Sequence, residues 1–186
     1  MIDLFITLLI IHLFGVIIGA GGAYASDMMF FHTVRDGKMS RAELGFLKLG
    51  SKMVWGGLLV IVLSGLGLFL TKPDVYLASS KFQAKMTIVT VIILNGIIFH
   101  RSHLPLMHRH AETHFPSSDE FMRRRPLLLA SGVISMVSWT SAIILGMLKH
   151  VPYSYTSIIA VYLGVVAIGI LVGFFIKSRL LPHHRN

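Results

Sequence analysis

The sequence predicts an all-α integral membrane protein, built as a bundle of five transmembrane helices. The composition is 54% hydrophobic and only 13% charged, whereas an ordinary soluble domain carries about 25% charged residues. Five apolar segments also approach the length of about 20 residues that a helix needs to cross a hydrocarbon core about 30 Å thick. These segments are too long for strands and show no strict alternation of apolar and polar residues, which favours helices.

Each predicted span has a boundary that the sequence justifies. The first has no basic residue before it, and Asp3 stands where a signal peptide would carry a positive charge, so we expect it to be retained as a membrane span. The second ends at Lys72-Pro73, and the third carries a single charge, Lys85, near its start. The fourth and the fifth each follow a proline. The predicted spans cover about residues 4–26, 54–71, 82–100, 127–148 and 153–176, in one domain over residues 1–186.

The charge distribution predicts the orientation of the chain in the membrane. The net charge is +9, and 13 of the 17 Lys and Arg residues fall on one side of the five spans. By the positive-inside rule, this places the N-terminus outside and the C-terminus in the cytoplasm. Basic loops lying against anionic lipid account for the net charge, so we expect the lipid bilayer, and no nucleic acid, as a partner. The chain has no cysteine, which excludes disulfides, thiolate zinc sites, cysteine-ligated iron–sulfur clusters and covalently attached haem.

A histidine near the middle of the first span is the first candidate for chemistry, because ionisable groups at membrane depth usually mark a functional site. On a helix, His12 shares an arc of about 80° with Gly15, Gly19 and Gly22. Such a stripe would let the edge of a flat macrocycle approach the backbone while the imidazole ligates its metal. The alternative is that the glycines let two helices pack closely, with His12 hydrogen-bonded across the contact.

The third span offers a matching face. Lys85 shares an arc of about 80° with Asn95 and His103, and His100 lies about 60° to the other side of Lys85. In the predicted orientation Lys85 lies near the outer surface, where its long side chain could reach a ligand held by His12. The alternatives are that Lys85 snorkels to the interface, and that His100 and His103 contact lipid headgroups.

The remaining polar features indicate packing and solvation more than chemistry. Small residues on one face of the fourth span, and two glycines on the fifth, are typical of helix–helix contacts. They are Ser131, Ser135, Ser138, Ala142, Gly169 and Gly173. Five histidines lie between residues 100 and 114, but the arginines and the proline among them disfavour a metal site and favour a solvated basic loop.

Taken together, these features resemble a known family. A histidine midway through the first span, a glycine-rich second half, a basic first loop and a third span that opens Phe82-Gln83-Ala84-Lys85-Met86 are similar to the HemJ-type membrane protoporphyrinogen oxidases. The wider superfamily of CopD-like copper-resistance membrane proteins is similar too. The stretch from Ile93 to Arg101 resembles the end of the third span in both groups, and the resemblance covers about residues 5–105.

The resemblance implies a haem-b-binding redox protein of a prokaryotic plasma membrane. In the HemJ-type family a first-span histidine and a lysine opening the third span are required, and these roles would pass to His12 and Lys85. His12 would supply an axial nitrogen, and Lys85 would be the second ligand or a counter-charge to a haem propionate. His100 and His150, which also lie near the ends of spans, compete for that second position. Electrons would pass between a quinol or a porphyrinogen and an acceptor. The other residues expected to line the cofactor are Gly15, Gly19, Gly22 and Asn95.

Two other functions stay open at the level of sequence. A copper or small-solute permease of the CopD-like kind would line a metal path with four side chains and bind no haem. These are His12, Met28, Met29 and His32. A non-catalytic scaffold would use the intramembrane histidine and lysine only to lock helix packing. The glycine stripes are compatible with a homodimer, and equally with packing inside one chain.

Overall fold

The computed structural model describes residues 3–36, 40–109, 119–149 and 151–180, and within these ranges the chain is helical and contains no strand. Among the residues in these ranges, five helices are long and apolar enough to cross a membrane, which confirms the predicted fold class. The helices are α1 (Leu4–Asp36), α2 (Arg41–Thr71), α3 (Pro73–Leu77), α4 (Ser80–Ile98), α5 (Leu104–Arg109), α6 (Asp119–Met147) and α7 (Tyr155–Leu180). A π-helical turn over Phe99–His103 joins α4 to α5 without a break in the helical path.

Helices α1 and α2 continue well past the predicted membrane spans. The sequence predicted a basic loop over residues 27–53, but α1 runs to Asp36 and α2 already begins at Arg41. The start of α2 is fixed by a capping box, in which the Ser40 hydroxyl accepts a hydrogen bond from the Glu43 N–H and the Glu43 carboxylate accepts one from the Ser40 N–H. At about 1.5 Å per residue, α2 is about 46 Å long, so it extends beyond a hydrocarbon core of about 30 Å. The end of the bundle at the α1–α2 connection is called the basic end below.

Glycines allow α1 and α2 to pack as a close antiparallel pair. A Cβ built on Gly57 of α2 would lie 2.5 Å from the Gly19 Cα and 2.7 Å from the Gly15 carbonyl oxygen on α1. A turn away, a Cβ on Gly22 would lie 3.0 Å from the Gly50 carbonyl oxygen. Backbones this close leave no room for side chains, which is why small residues occupy membrane helix contacts.

Two apolar clusters fill the inside of the bundle. The larger, called the membrane core, is buried between α1, α2, α4, α6 and α7 and contains Ala20, Ala23, Leu58, Ile61, Ala84, Ile88, Ile92, Trp139, Leu145 and Tyr162. The smaller, called the basic-end cluster, contains Phe30, Leu44, Leu47, Leu106, Met107 and Leu128. The polar groups between these two clusters form one of the sites described below.

Helix α6 packs against α7 at contacts that involve small residues. The Ser138 hydroxyl lies 2.8 Å from the Tyr162 hydroxyl of α7, in a buried hydrogen bond. A Cβ on Gly169 of α7 would lie 2.7 Å from a Val133 methyl group of α6. For Ser138 and Gly169 the expected role in helix packing is confirmed, whereas Ser131 and Ser135 line the polar cavity described below.

Candidate functional site

His12 is held in a defined orientation by α2. Its Nδ1 atom lies 3.1 Å from the Ser64 Oγ atom, and the same hydroxyl lies 2.5 Å from the Val60 carbonyl oxygen. A serine hydroxyl has a single proton to donate. Because that proton goes to the carbonyl in the shorter bond, Nδ1–H of His12 is the donor to Ser64. The other ring nitrogen, Nε2, then carries a lone pair and faces away from Ser64.

Lys85 of α4 is the second residue of the predicted cofactor site. It is half-buried one turn inside α4, and it is close enough for its charge to act on the imidazole of His12. No hydrogen bond or ion pair of its ammonium group is found among the described residues. Lys81, whose Nζ donates to the Leu148 carbonyl oxygen at 2.7 Å, lies close enough for its charge to act on Lys85. Lys81 and Lys85 are one turn apart on α4, so two positive charges lie close together there.

The glycine stripe beside His12 contacts protein along its whole length. Gly15 and Gly22 face α2, and a Cβ on Gly19 would lie 2.6 Å from the indole ring of Trp139 on α6. Close helix packing, the alternative that the sequence left open, accounts for all three positions. A macrocycle edge has no space along this stripe, so a group bound at His12 approaches Nε2 from the side away from α2.

A glycine that the sequence reasoning missed lies beside the imidazole. A Cβ on Gly65 would lie 3.4 Å from His12 Cε1 and 3.6 Å from Nδ1, in ordinary van der Waals contact. Gly65 follows Ser64 on α2, so one helix supplies both the acceptor for Nδ1 and the flat surface beside the ring. Ser64 and Gly65 are 52 and 53 residues from His12 along the chain. Only the packing of α1 against α2 therefore reveals that they contact the imidazole.

A second polar site lies between the membrane core and the basic-end cluster. A cavity of about 60 Å³ is lined there by polar groups from α1, α2, α4, the π-helical turn and α6. They include Ser26, Asp27, Ser51, Asn95, His103, Ser131 and Ser135. Such a volume holds a few water molecules and is too small for a macrocycle. Asn95, predicted to contact the cofactor, belongs to this cavity: its Oδ1 accepts a hydrogen bond of 2.8 Å from Ser131.

The π-helical turn directs His103 into this cavity. Only 1% of the His103 surface is exposed, and its ring contacts the edge of the Phe99 ring. The expectation that His103 contacts lipid headgroups is therefore wrong. His100 is exposed at the same turn, with Nδ1 3.4 Å from the Ser51 Oγ atom of α2. π-Helical turns recur at functional sites, since the extra residue changes which side chains face inwards.

Depth separates the predicted ligands from one another. His12 is bonded at Ser64 and His100 at Ser51, positions about 20 Å apart along α2. His12 and His100 therefore cannot hold the same metal ion. His150, the other proposed competitor of Lys85, lies outside the described residues.

The methionines and the histidine of the expected copper path do not line one face of α1. Met28 is 68% exposed on the outside of the bundle, whereas Met29 packs against the basic-end cluster. His32 is exposed. In the part of the chain that the structure describes, no three His, Cys, Asp or Glu side chains lie close enough to hold a metal ion.

Comparisons of the chain with known protein families, with curated proteins and with solved structures find no match. The fold and the two sites define the chain as a multi-pass helical membrane protein with polar groups at two depths. The sequence pointed to His12 and Lys85 but not to Asp27, which lines the same cavity as His103. One signal was present: Ala20, Ala23, Asp27 and Phe30 recur at the spacing of a single helix face.

Proposed function

We propose that the chain is a haem-b-binding membrane redox protein in which His12 Nε2 is the axial ligand of the iron. The observation that carries this proposal is the hydrogen bond of His12 Nδ1 to Ser64, which leaves the lone pair of the imidazole on Nε2. Metal-ligating histidines almost always donate their other ring N–H to a protein acceptor, which fixes the tautomer and the ring orientation. Ser64 supplies that acceptor.

The cations near His12 suit the anionic part of a haem. Haem b carries two propionate carboxylates, and Lys85, whose charge acts on His12, supplies positive charge together with Lys81. The described residues provide no acceptor for this half-buried Lys85 ammonium group, which is costly in a membrane, so a carboxylate from a ligand would stabilise it. Lys85 serves either as this counter-charge or, when neutral, as the second axial ligand.

A bound haem supplies one-electron chemistry. The residues of the chain would hold the iron through His12, keep that imidazole in one tautomer through Ser64 and attract the propionates through Lys85. The expected electron donor is a membrane-soluble reductant, either a quinol or a porphyrinogen, which reaches the site from the bilayer.

A visible spectrum of the detergent-purified protein tests the proposal. The protein, expressed with ample haem supply, is measured oxidised and reduced, and its haem is identified by the pyridine haemochrome assay. We expect a Soret band, sharp α and β bands on reduction, and a b-type haemochrome. A colourless protein would overturn the proposal.

The two alternatives predict different results for a colourless protein. Stoichiometric binding of copper would support a permease. A protein that binds neither haem nor copper, and that alanine at His12 or Lys85 merely destabilises, would support a scaffold. For a coloured protein, the electron donor would be identified by adding a quinol or a porphyrinogen and measuring the reduction of the haem from its absorption bands.

A further inference from the structure

Three buried groups around the small cavity near the basic end lack partners. Asp27 Oδ2, the Ser26 hydroxyl and both ring nitrogens of His103 make no hydrogen bond among the described residues. These residues come from α1 and from the π-helical turn, and they line the same cavity of about 60 Å³. Buried polar atoms in folded proteins are nearly always hydrogen-bonded, so unpartnered groups that face one cavity indicate something bound between them.

The chemistry of the cavity favours water and a proton over a metal ion. A carboxylate and an imidazole are both proton acceptors, and the space holds a few water molecules that could bridge them. A metal ion needs more ligands than one carboxylate and one imidazole, and no third His, Cys, Asp or Glu side chain lies close enough within the described residues. Carboxylate–histidine pairs inside membranes are typical of proton relays.

The charged and titratable groups around the pair are few. Ser135 of α6 hydrogen-bonds to the Asp27 carboxylate, and Arg124 of the same helix is close enough for its charge to act on His103. The other polar side chains that line the cavity include the Asn95 amide and serine hydroxyls, which do not titrate. One of these serines, Ser51 of α2, lies 3.4 Å from Nδ1 of the exposed His100. The basic-end cluster lies beside the cavity, with Met107 and Phe30 in its wall.

We propose that this cavity is a proton-binding site in which water molecules share one proton between Asp27 and His103. Uptake is a simple transfer: a hydronium ion gives its proton to Asp27 Oδ2, an O–H bond forms there, and a water molecule remains in the cavity. In the transfer to His103, the O–H bond on Asp27 breaks as the bridging water accepts that proton, the water gives one of its own protons to a ring nitrogen, and an N–H bond forms there. No oxidant or reductant takes part.

The proton site is independent of the proposed haem site. Asp27 lies 15 residues from His12 on the same helix, which is about 22 Å along the axis. A substitution at Asp27 should therefore leave the haem content unchanged, so the failure of one proposal can be told from the failure of the other.

Infrared difference spectra of the protein in lipid vesicles, recorded as the pH is changed, test the proposal. A protonated carboxylic acid has a C=O stretch that a carboxylate lacks. We expect one such band that disappears in Asp27→Asn and persists in Asp74→Asn, a matched substitution of an exposed aspartate on α3. In His103→Gln the proton affinity read from that band should change by about tenfold, because the neighbouring proton acceptor is lost.

Several results would overturn the proposal. The first is a difference spectrum that Asp27→Asn leaves unchanged. The second is a midpoint pH of the C=O band that His103→Gln leaves unchanged. The third is a midpoint pH that changes with the concentration of sodium or of a divalent cation. If Asp27→Asn does not fold, Ser135→Ala retains the carboxylate and removes its hydrogen bond. That variant should shift the midpoint of the same band, and an unshifted midpoint would contradict the assignment to Asp27.

Discussion

Replacing Gly57 by alanine tests the close contact on which the orientation of His12 depends. The new methyl group would lie 2.5 Å from the backbone of Gly19, whereas ordinary van der Waals contact begins at 3.4 Å. The obstacle is backbone, which cannot rotate away as a side chain can. Helices α1 and α2 must therefore separate by about 0.9 Å at this level.

Gly56 provides a matched control for the clash. It neighbours Gly57 on the same helix, and a Cβ at Gly56 meets nothing within 4 Å. Both substitutions gain the same helix propensity, about 0.5–1 kcal/mol for alanine over glycine. The difference in the free energy of unfolding between the two variants therefore isolates the clash, and overpacking costs about 1–3 kcal/mol.

Unfolding in mixed micelles, followed by circular dichroism, measures this difference. We expect Gly57→Ala to be less stable than Gly56→Ala by about 1–3 kcal/mol. The same separation would stretch the contact between His12 and Ser64 from 3.1 Å to beyond the range of a hydrogen bond. Equal stabilities of the two variants would refute the close packing of α1 on α2 and, with it, the derived tautomer of His12.

Two further predictions concern single hydrogen bonds. Ser64→Ala removes the acceptor of His12 Nδ1–H, and haem affinity measured by titration should fall by about 10–100-fold; an unchanged affinity would contradict the role given to Ser64. A double-mutant cycle with Ser138→Ala and Tyr162→Phe should give a coupling of about 0.6 kcal/mol for their buried bond, the size typical of membrane helix contacts. Strict additivity in the unfolding free energies would show that this bond contributes nothing to stability.

Hydropathy was sufficient to predict where the five membrane spans lie, but not where each helix begins and ends. Each predicted span falls within an observed helix, apart from one or two residues at its ends. The extensions of α1 and α2 carry charged residues, and a hydropathy window reports only the part of a helix that matches the hydrocarbon core. The capping box at Ser40 and Glu43 was the local signal that α2 begins far earlier than residue 54.

The candidate site was only partly predictable because angle and depth on single helices do not reveal which helices are neighbours. The sequence correctly placed His12 and the three glycines on one face of α1, but α2 and Trp139 cover that face. The arc on the third span correctly grouped Asn95 with His103, and the structure places both at the small cavity. The same arc also included Lys85, which is not among the residues that line the cavity.

The measurement that tests the central claim most directly is the haem-to-protein ratio of three purified proteins: the wild type, His12→Ala and His100→Ala. The two variants are matched, because each removes an imidazole that is bonded to a serine of α2. The proposal predicts b-type haem in the wild type and in His100→Ala, and loss of haem in His12→Ala. Haem retained by His12→Ala at the wild-type ratio would contradict it.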